Sequence, residues 1–305
     1  MLLFDLHCDT VTGCLESGRS LVKNEFQLDL ERGNRLGTWV QVFAFWLDTK
    51  YCGDKAYDRF LEQRRLLVHE IERHSDKIEL YHTGAEVTQG KCSALMAVEG
   101  GHVLGGKLER IDYLKQLGVS FLTLVWNEDN EIGCGAKGSD NGLTDFGREA
   151  VVELERNNII IDISHLNQKG TDEVFHLAKK PLVATHSNSR AIHDIKRNLC
   201  DYQLKYLIDH NGLCGINYYP EFVNGMEDCT AEDFKRHLDH ILELGGEDIL
   251  ALGSDFDGAP MPSFLNGIEA LYIFYGNVVK WYGQKIADKL FYENARQFTE
   301  KNIIV

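Results

Sequence analysis

Eight short apolar runs, most of them followed by a helical pattern, constrain this chain more than any other feature. They are "LLFDLH" (2–7), "TWVQVFAFW" (38–46), "SALMAVE" (93–99), "SFLTLVW" (120–126), "IIIDISH" (159–165), "PLVATH" (181–186), "LCGINYY" (213–219) and "ILALGSDF" (249–256). The runs are nearly continuous in apolar residues rather than alternating, as strands covered on both faces read. The intervening helices have legible ends. "LEQRRLLVHEIERH" (61–74) carries Leu66, Leu67 and Ile71 at helical spacing, and "LERIDYLKQLG" stops at Gly118. "TDFGREAVVELERNN" starts from a Thr144 cap and "TAEDFKRHLDHILELGG" from a Thr230 cap, and "IADKLFYENARQFTEKN" closes the pattern. Eight strands alternating with helices predict an α/β fold of the (β/α)8 TIM-like barrel type, with an open doubly wound sheet as the alternative. No GxGxxG follows the first run, which weakens the dinucleotide-binding version of that alternative. Four prolines, no low-complexity linker and no repeat period mark no domain boundary, so a single barrel domain over 1–305 is expected.

Charge and cysteine usage narrow the function classes. A net charge of −15 argues against nucleic acid or an anionic membrane surface as partner, since both call for clustered Lys and Arg. No stretch approaches the ~18 apolar residues of a membrane span. The opening "MLLFDLHC" is too short, and too soon charged, to read as a signal peptide. Eight cysteines include no CxxC pair, so zinc-ribbon and thioredoxin-type readings fall away. Free thiols in a reducing cytoplasm are the simplest account, although an even count leaves a disulfide open.

The polar residues gather at one end of the runs. His7 and Asp9 close the first, Glu99 the third, Trp126 the fourth, His165 the fifth, His186 the sixth, Asn217 and two tyrosines the seventh, and Asp255 the eighth. In an extended strand His7 and Asp9 share a face and Cys8 takes the other. Each residue also has a bland reading. His165 can be a capping or core-edge histidine, Glu99 a turn residue before Gly100-Gly101, and Asp255 and Asp257 turn residues in "GSDFDG". Converging on one barrel rim, where active sites of this fold lie, they favour a metal centre. Imidazole and carboxylate without thiolate suit zinc or a similar divalent ion in a hydrolytic site. Five candidate ligands exceed what one catalytic ion takes from protein, and a carboxylate such as Glu99 can bridge two. Two ions about 3.5–4 Å apart can hold a bridging water and lower its pKa. Asp255 is then the base that takes the water's proton and returns it to a leaving amine.

With these residues assembled, the sequence resembles the membrane dipeptidase (renal dipeptidase) family of binuclear zinc peptidases over essentially its whole length. The motifs, in order, are "DLHCDT", "AVEGGH", "DISH", "THSNSRA…KRN" and "GSDFDG". The resemblance implies two zinc ions, with His7 and Asp9 holding the first, Glu99 bridging, and His165 and His186 holding the second. It implies that Arg197 in "KRN" binds the substrate carboxylate, which fits the planar, permanently charged guanidinium. It also implies that Asp255 contacts the substrate amino group, and that members dimerise and accept a D-residue on the C-terminal side of a small dipeptide. One position departs from the renal type: Trp126 stands where those members carry a histidine that polarises the scissile carbonyl, and indole cannot titrate. The expectation is a cytoplasmic, metal-dependent dipeptidase. An amidohydrolase-like enzyme acting on a non-peptide amide or lactone is the first alternative, and a non-catalytic descendant the second.

Overall fold

The computed structural model describes residues 1–303. Nine parallel strands form one sheet: β1 (Leu2–Cys8), β2 (Thr38–Trp46), β3 (Ile78–Leu80), β4 (Cys92–Glu99), β5 (Val119–Thr123), β6 (Ile160–Asp162), β7 (Val183–Ala184), β8 (Leu213–Ile216) and β9 (Leu250–Leu252). Pairing of β2 with both β1 and β4, and of β9 with both β8 and β1, closes eight of them into a barrel in the order β1-β2-β4-β5-β6-β7-β8-β9. The short β3 fills the edge of β4 at Cys92–Ala94, below the point where β5 joins at Met96. Three residues following a helix carry no periodicity, which is why β3 leaves no trace in the sequence pattern.

Both faces of the strands are covered, as the continuous apolar runs require. Phe4, Leu6, Val40, Val42, Leu95 and Phe121 belong to the cluster that fills the barrel. Leu3, Phe43, Phe45, Val98 and Leu122 belong to the larger one that packs against the helices. His7 faces the barrel mouth because of a local irregularity. Asp5 pairs with Gln41, but Cys8 pairs with Phe43, so β1 carries one extra residue between them. Strict alternation from the inward Phe4 and Leu6 would send His7 outward with Asp5. The bulge turns it in and sends Cys8, which the same count would place inside, to the outer side. Asp9 lies past the strand, at the start of a helix over Thr10–Ser17, rather than within it.

The later strands are shorter than their apolar runs. β5 stops at Thr123, β6 at Asp162, β7 at Ala184, β8 at Ile216 and β9 at Leu252, so Trp126, His165, His186, Asn217 and Asp255 sit on loops just beyond the strands. Buried side chains end the ladders by taking the next backbone donors. Asp162 Oδ1 accepts from Ser164 N at 2.9 Å and Thr185 N at 3.0 Å, Asn188 Oδ1 from Asn217 N at 3.1 Å, and Asp5 Oδ1 from Ser254 N at 2.8 Å. His165 (φ 67°) and Asp255 (φ 63°) then occupy the left-handed region, which no strand residue can.

The helices follow the expected caps, with longer or shorter bodies. The first long one runs over Asp54–Arg73 and begins after Gly53, seven residues earlier than its apolar spacing shows. Thr144 accepts from Gly147 N at the start of Asp145–Arg156. Thr230 and Asp233 form a capping box at the start of Ala231–Glu243. The closing helical pattern is interrupted by a π-turn over Lys289–Glu293. Thr230→Ala removes the bond from Asp233 N–H to Thr230 Oγ1, while the Thr230 N–H can still donate to Asp233 Oδ2, and is expected to cost about 1 kcal/mol. A fall in thermal midpoint of about 2 °C checks this, and an unchanged midpoint contradicts it. All eight cysteines are free thiols, and among the described residues no helix is long and apolar enough to cross a membrane.

Candidate metal centre

The rim loops bring His7, Asp9, Glu99, His165, His186 and Asp255 together at the mouth of the barrel. Glu99 lies between two groups. Its Oε1 is 3.0 Å from His165 Nε2 and 3.5 Å from His186 Nε2, while its Oε2 is 3.5 Å from His7 Nε2. On the latter side Asp9 Oδ2 is 3.4 Å and Asp255 Oδ1 4.0 Å from His7 Nε2. Three overlapping sets therefore have ligand atoms within 4.8 Å of one another: His7, Asp9 and Glu99; Glu99, His165 and His186; and His7, His186 and Asp255.

Several features fit divalent cations here. His165 Nε2 and His186 Nε2 stand 2.8 Å apart, so at most one proton lies between two nitrogens that face the same carboxylate oxygen. Among the described residues, His7 Nε2 and Asp9 Oδ1 are buried without a hydrogen-bond partner. A Cβ at Gly258 would fall 2.2 Å from Asp9 Oδ2 and 2.6 Å from Asp255 Oδ1, so only glycine leaves this space open. The donor set of imidazoles and carboxylates is the one hydrolytic zinc sites use.

The electrostatics keep His165 and His186 neutral and Glu99 charged, whereas, despite its burial, the charge of Glu99 and the contact with Asp9 raise the His7 pKa well above the ordinary value. Burial, and then the Arg197 charge, lowers the His165 pKa, while burial and then His7 hold that of His186 well below the ordinary value. Both rings thus present a lone pair. Burial alone would raise the Glu99 pKa, but the charge of His7 and the close imidazoles of His165 and His186 hold it well below the carboxylate range. Asp9 is pushed up to about 7, first by burial and then by Glu99 and Asp255, against the pull of His7. A divalent cation would neutralise that buried negative charge.

Around this cluster lies a cavity of about 410 Å³ whose wall includes Trp46, Trp126, Asn127, Lys137, Tyr219 and Phe222. Trp126 is half-buried, with its ring edge-on to Trp46 at 5.2 Å and 6.3 Å from the His165 ring. Tyr219 faces the cavity, whereas Tyr218 is buried among Phe234, Phe256 and Phe274. Arg197 is buried behind Phe222, whose ring centroid is 5.2 Å from the guanidinium carbon. Its Nη1 donates to Ser187 Oγ and its Nη2 to the His186 carbonyl, both at 2.8 Å, and its Nε–H has no acceptor.

Two supporting roles escape sequence reasoning, that of Asn127 and that of Asn217, which the sequence places only at the end of the seventh run. Asn127 Oδ1 lies 3.0 Å from His165 Nδ1, placed to accept its proton and leave Nε2 free. Asn217 Nδ2 donates to Asp255 Oδ2 at 3.0 Å, and its own backbone is clamped by Asn188. Asn127 directly follows Trp126, a weak cue. Nothing local marks Asn217 as the partner of a residue 38 positions away.

A closed (β/α)8 barrel with this His and carboxylate cluster at the strand ends defines a metal-dependent hydrolase. The family description "membrane dipeptidase (peptidase family M19)" matches residues 1–297, and the chain belongs to that family. The dipeptidase tcpJ of Claviceps purpurea is 33% identical over 226 residues, covering 72% of this chain and 52% of that protein. Among solved structures, a metallopeptidase from Rhodobacter sphaeroides bound to a phosphinate mimic of L-Ala-D-Ala superposes with a TM-score of 0.92 at 27% identity, covering 99% of each chain. A structure described as dipeptidase AC gives the same TM-score at 28% identity, covering 99% of this chain and 98% of that one. The protein is a peptide-bond hydrolase, a dipeptidase that depends on divalent metal.

Proposed function

We propose that the chain works as one catalytic domain over residues 1–305 and hydrolyses small dipeptides, L-D dipeptides among them, at a centre of two divalent ions. His7 and Asp9 would hold one ion, His165 and His186 the other, and Glu99 both. The observation that carries this reading is the split of Glu99, with one oxygen toward His7 and the other toward His165 and His186. Zinc is the expected metal. When bound, the pair would supply Lewis acidity and lower the pKa of a held water so that hydroxide is available at neutral pH.

The chain's own groups would do the rest. Asn217 fixes Asp255 Oδ2, leaving Oδ1 to accept the proton of the attacking water and deliver it to the leaving amine. The rim indoles would shield the reacting carbonyl from bulk water, with Trp126 as a wall rather than a titrating group. The cavity volume falls within the ~300–1,000 Å³ of small-molecule sites, enough for a dipeptide. Arg197 offers its free Nε–H to the substrate carboxylate, with Phe222 moving aside to admit it. Arg197→Met is expected to raise KM by about two orders of magnitude, equivalent to about 3 kcal/mol of lost charge pairing, with a smaller effect on kcat. Steady-state kinetics check this, and an unchanged KM contradicts the assignment. Eight free thiols suit a cytoplasmic setting, and the neighbouring exposed residues Tyr272 and Ile273 suit a homodimer face.

The reference mimic of L-Ala-D-Ala belongs to the Rhodobacter enzyme, and it motivates the substrate test here. Zinc-loaded protein should cleave a panel of L-L and L-D dipeptides, with L-D members well represented among the best substrates. Turnover of amides or lactones without dipeptide turnover would overturn the proposal.

A further inference from the structure

Below the metal centre lies a buried polar layer that the proposed chemistry does not use. Asp162 and Thr185 are both buried, 0% and 1% exposed. Asp162 Oδ2 accepts from Thr123 Oγ1 and Thr185 Oγ1, each at 2.6 Å, while Oδ1 accepts from the Ser164 and Thr185 backbone amides. Four donors fill the acceptor capacity of one carboxylate. A hydroxyl carries a single proton, and the 2.6 Å contact commits that of Thr185 to Asp162. Its lone pairs then face two imidazoles, His186 Nδ1 at 2.8 Å and His7 Nδ1 at 3.5 Å. Ser164 Oγ, also 3.5 Å from the hydroxyl, receives the His186 amide at 3.2 Å. The backbone at Thr185 is equally fixed. A Cβ on Gly215, in β8, or on Gly253, just past β9, would stand 2.0 Å from its carbonyl oxygen, so both positions need glycine.

We propose that the Thr185 hydroxyl, oriented by Asp162, sets the ring tautomer of His186 and His7, one imidazole from each half of the centre. With its proton spent on Asp162, Thr185 can only accept, so each ring donates from Nδ1 and Nε2 is the nitrogen turned to the metal positions. Asp162 and Thr185 are positioning residues, acting through the histidines and not on substrate. Because Asn127 places His165 in the same state, the His165 and His186 Nε2 lone pairs face each other across 2.8 Å, an arrangement that a bound divalent cation relieves. The inference rests on reading the cluster as a metal centre. Metal ligands held by such outer hydrogen bonds typically lose about 10–100-fold in affinity when the partner is removed.

The test is zinc affinity by chelator competition on wild type, Thr185→Val and Thr185→Ser, with thermal melts of the metal-free proteins. Thr185→Val, similar in size but without the hydroxyl, should bind zinc about 10–100-fold more weakly, while Thr185→Ser stays close to wild type. Equal affinity in Thr185→Val, or equal losses in both variants, overturns the proposal. Nitrogen-15 histidine spectra of the metal-free wild type decide the matter even if the valine variant does not fold. Nδ1-protonated rings at His186 and His7 are expected, and an Nε2-protonated His186 overturns it. A wild-type protein that takes up no zinc would overturn the metal-centre reading itself, and this proposal with it. Zinc uptake with an indifferent Thr185→Val overturns this proposal alone.

Discussion

Glu99→Gln is expected to lower kcat/KM by about four orders of magnitude and to strip at least one divalent ion from the purified protein. The amide keeps the size of the side chain but loses its charge and one acceptor oxygen. Among the described residues, Glu99 is the only carboxylate with one oxygen within 3.5 Å of His7 and the other within 3.5 Å of both His165 and His186, so either orientation of the amide turns an NH₂ toward one group. Lost stabilisation of several kcal/mol, which a two-metal clamp supplies, converts to about that factor in rate. Metal content and kcat/KM measured on one preparation check the prediction. Full metal content with near wild-type turnover would remove Glu99 from the centre.

Asp255→Asn is expected to lower kcat by about 10²–10⁴-fold with metal content unchanged. Asparagine tolerates the left-handed backbone that Asp255 adopts at φ 63°, so the loop should keep its shape. The bond from Asn217 Nδ2 to the remaining oxygen can persist, while the oxygen facing His7 is replaced by a group that cannot accept a proton. Metal loss in this variant would instead make Asp255 a ligand, as its grouping with His7 and His186 permits. The two variants therefore separate the bridging role proposed for Glu99 from the base role proposed for Asp255.

The barrel and its rim were legible because both rest on local chemistry. Strands covered on two faces must be apolar along their length, and His7, Glu99, His165, His186 and Asp255 interrupt or end such runs. What stayed hidden depends on contacts between distant positions. The bulge that turns His7 inward shows only in the register of β1 against β2. The early ends of β6, β7, β8 and β9 come from Asp162, Asn188 and Asp5 intercepting ladder donors, so the apolar runs overstated those strands. Arg197 was identified by its motif, but its burial behind Phe222 follows from a ring 25 residues along the chain. Thr185 sits beside His186 in "THS", yet its role comes from Asp162, 23 positions earlier.

The proposed centre holds two ions and needs both. The most direct measurement is titration of metal-free protein with zinc while hydrolysis of L-Ala-D-Ala is followed. Activity should be absent before zinc is added and should reach its plateau at two equivalents per chain, with no comparable rise in Glu99→Gln. A plateau at one equivalent, or full turnover in protein freed of divalent metal, would contradict the account.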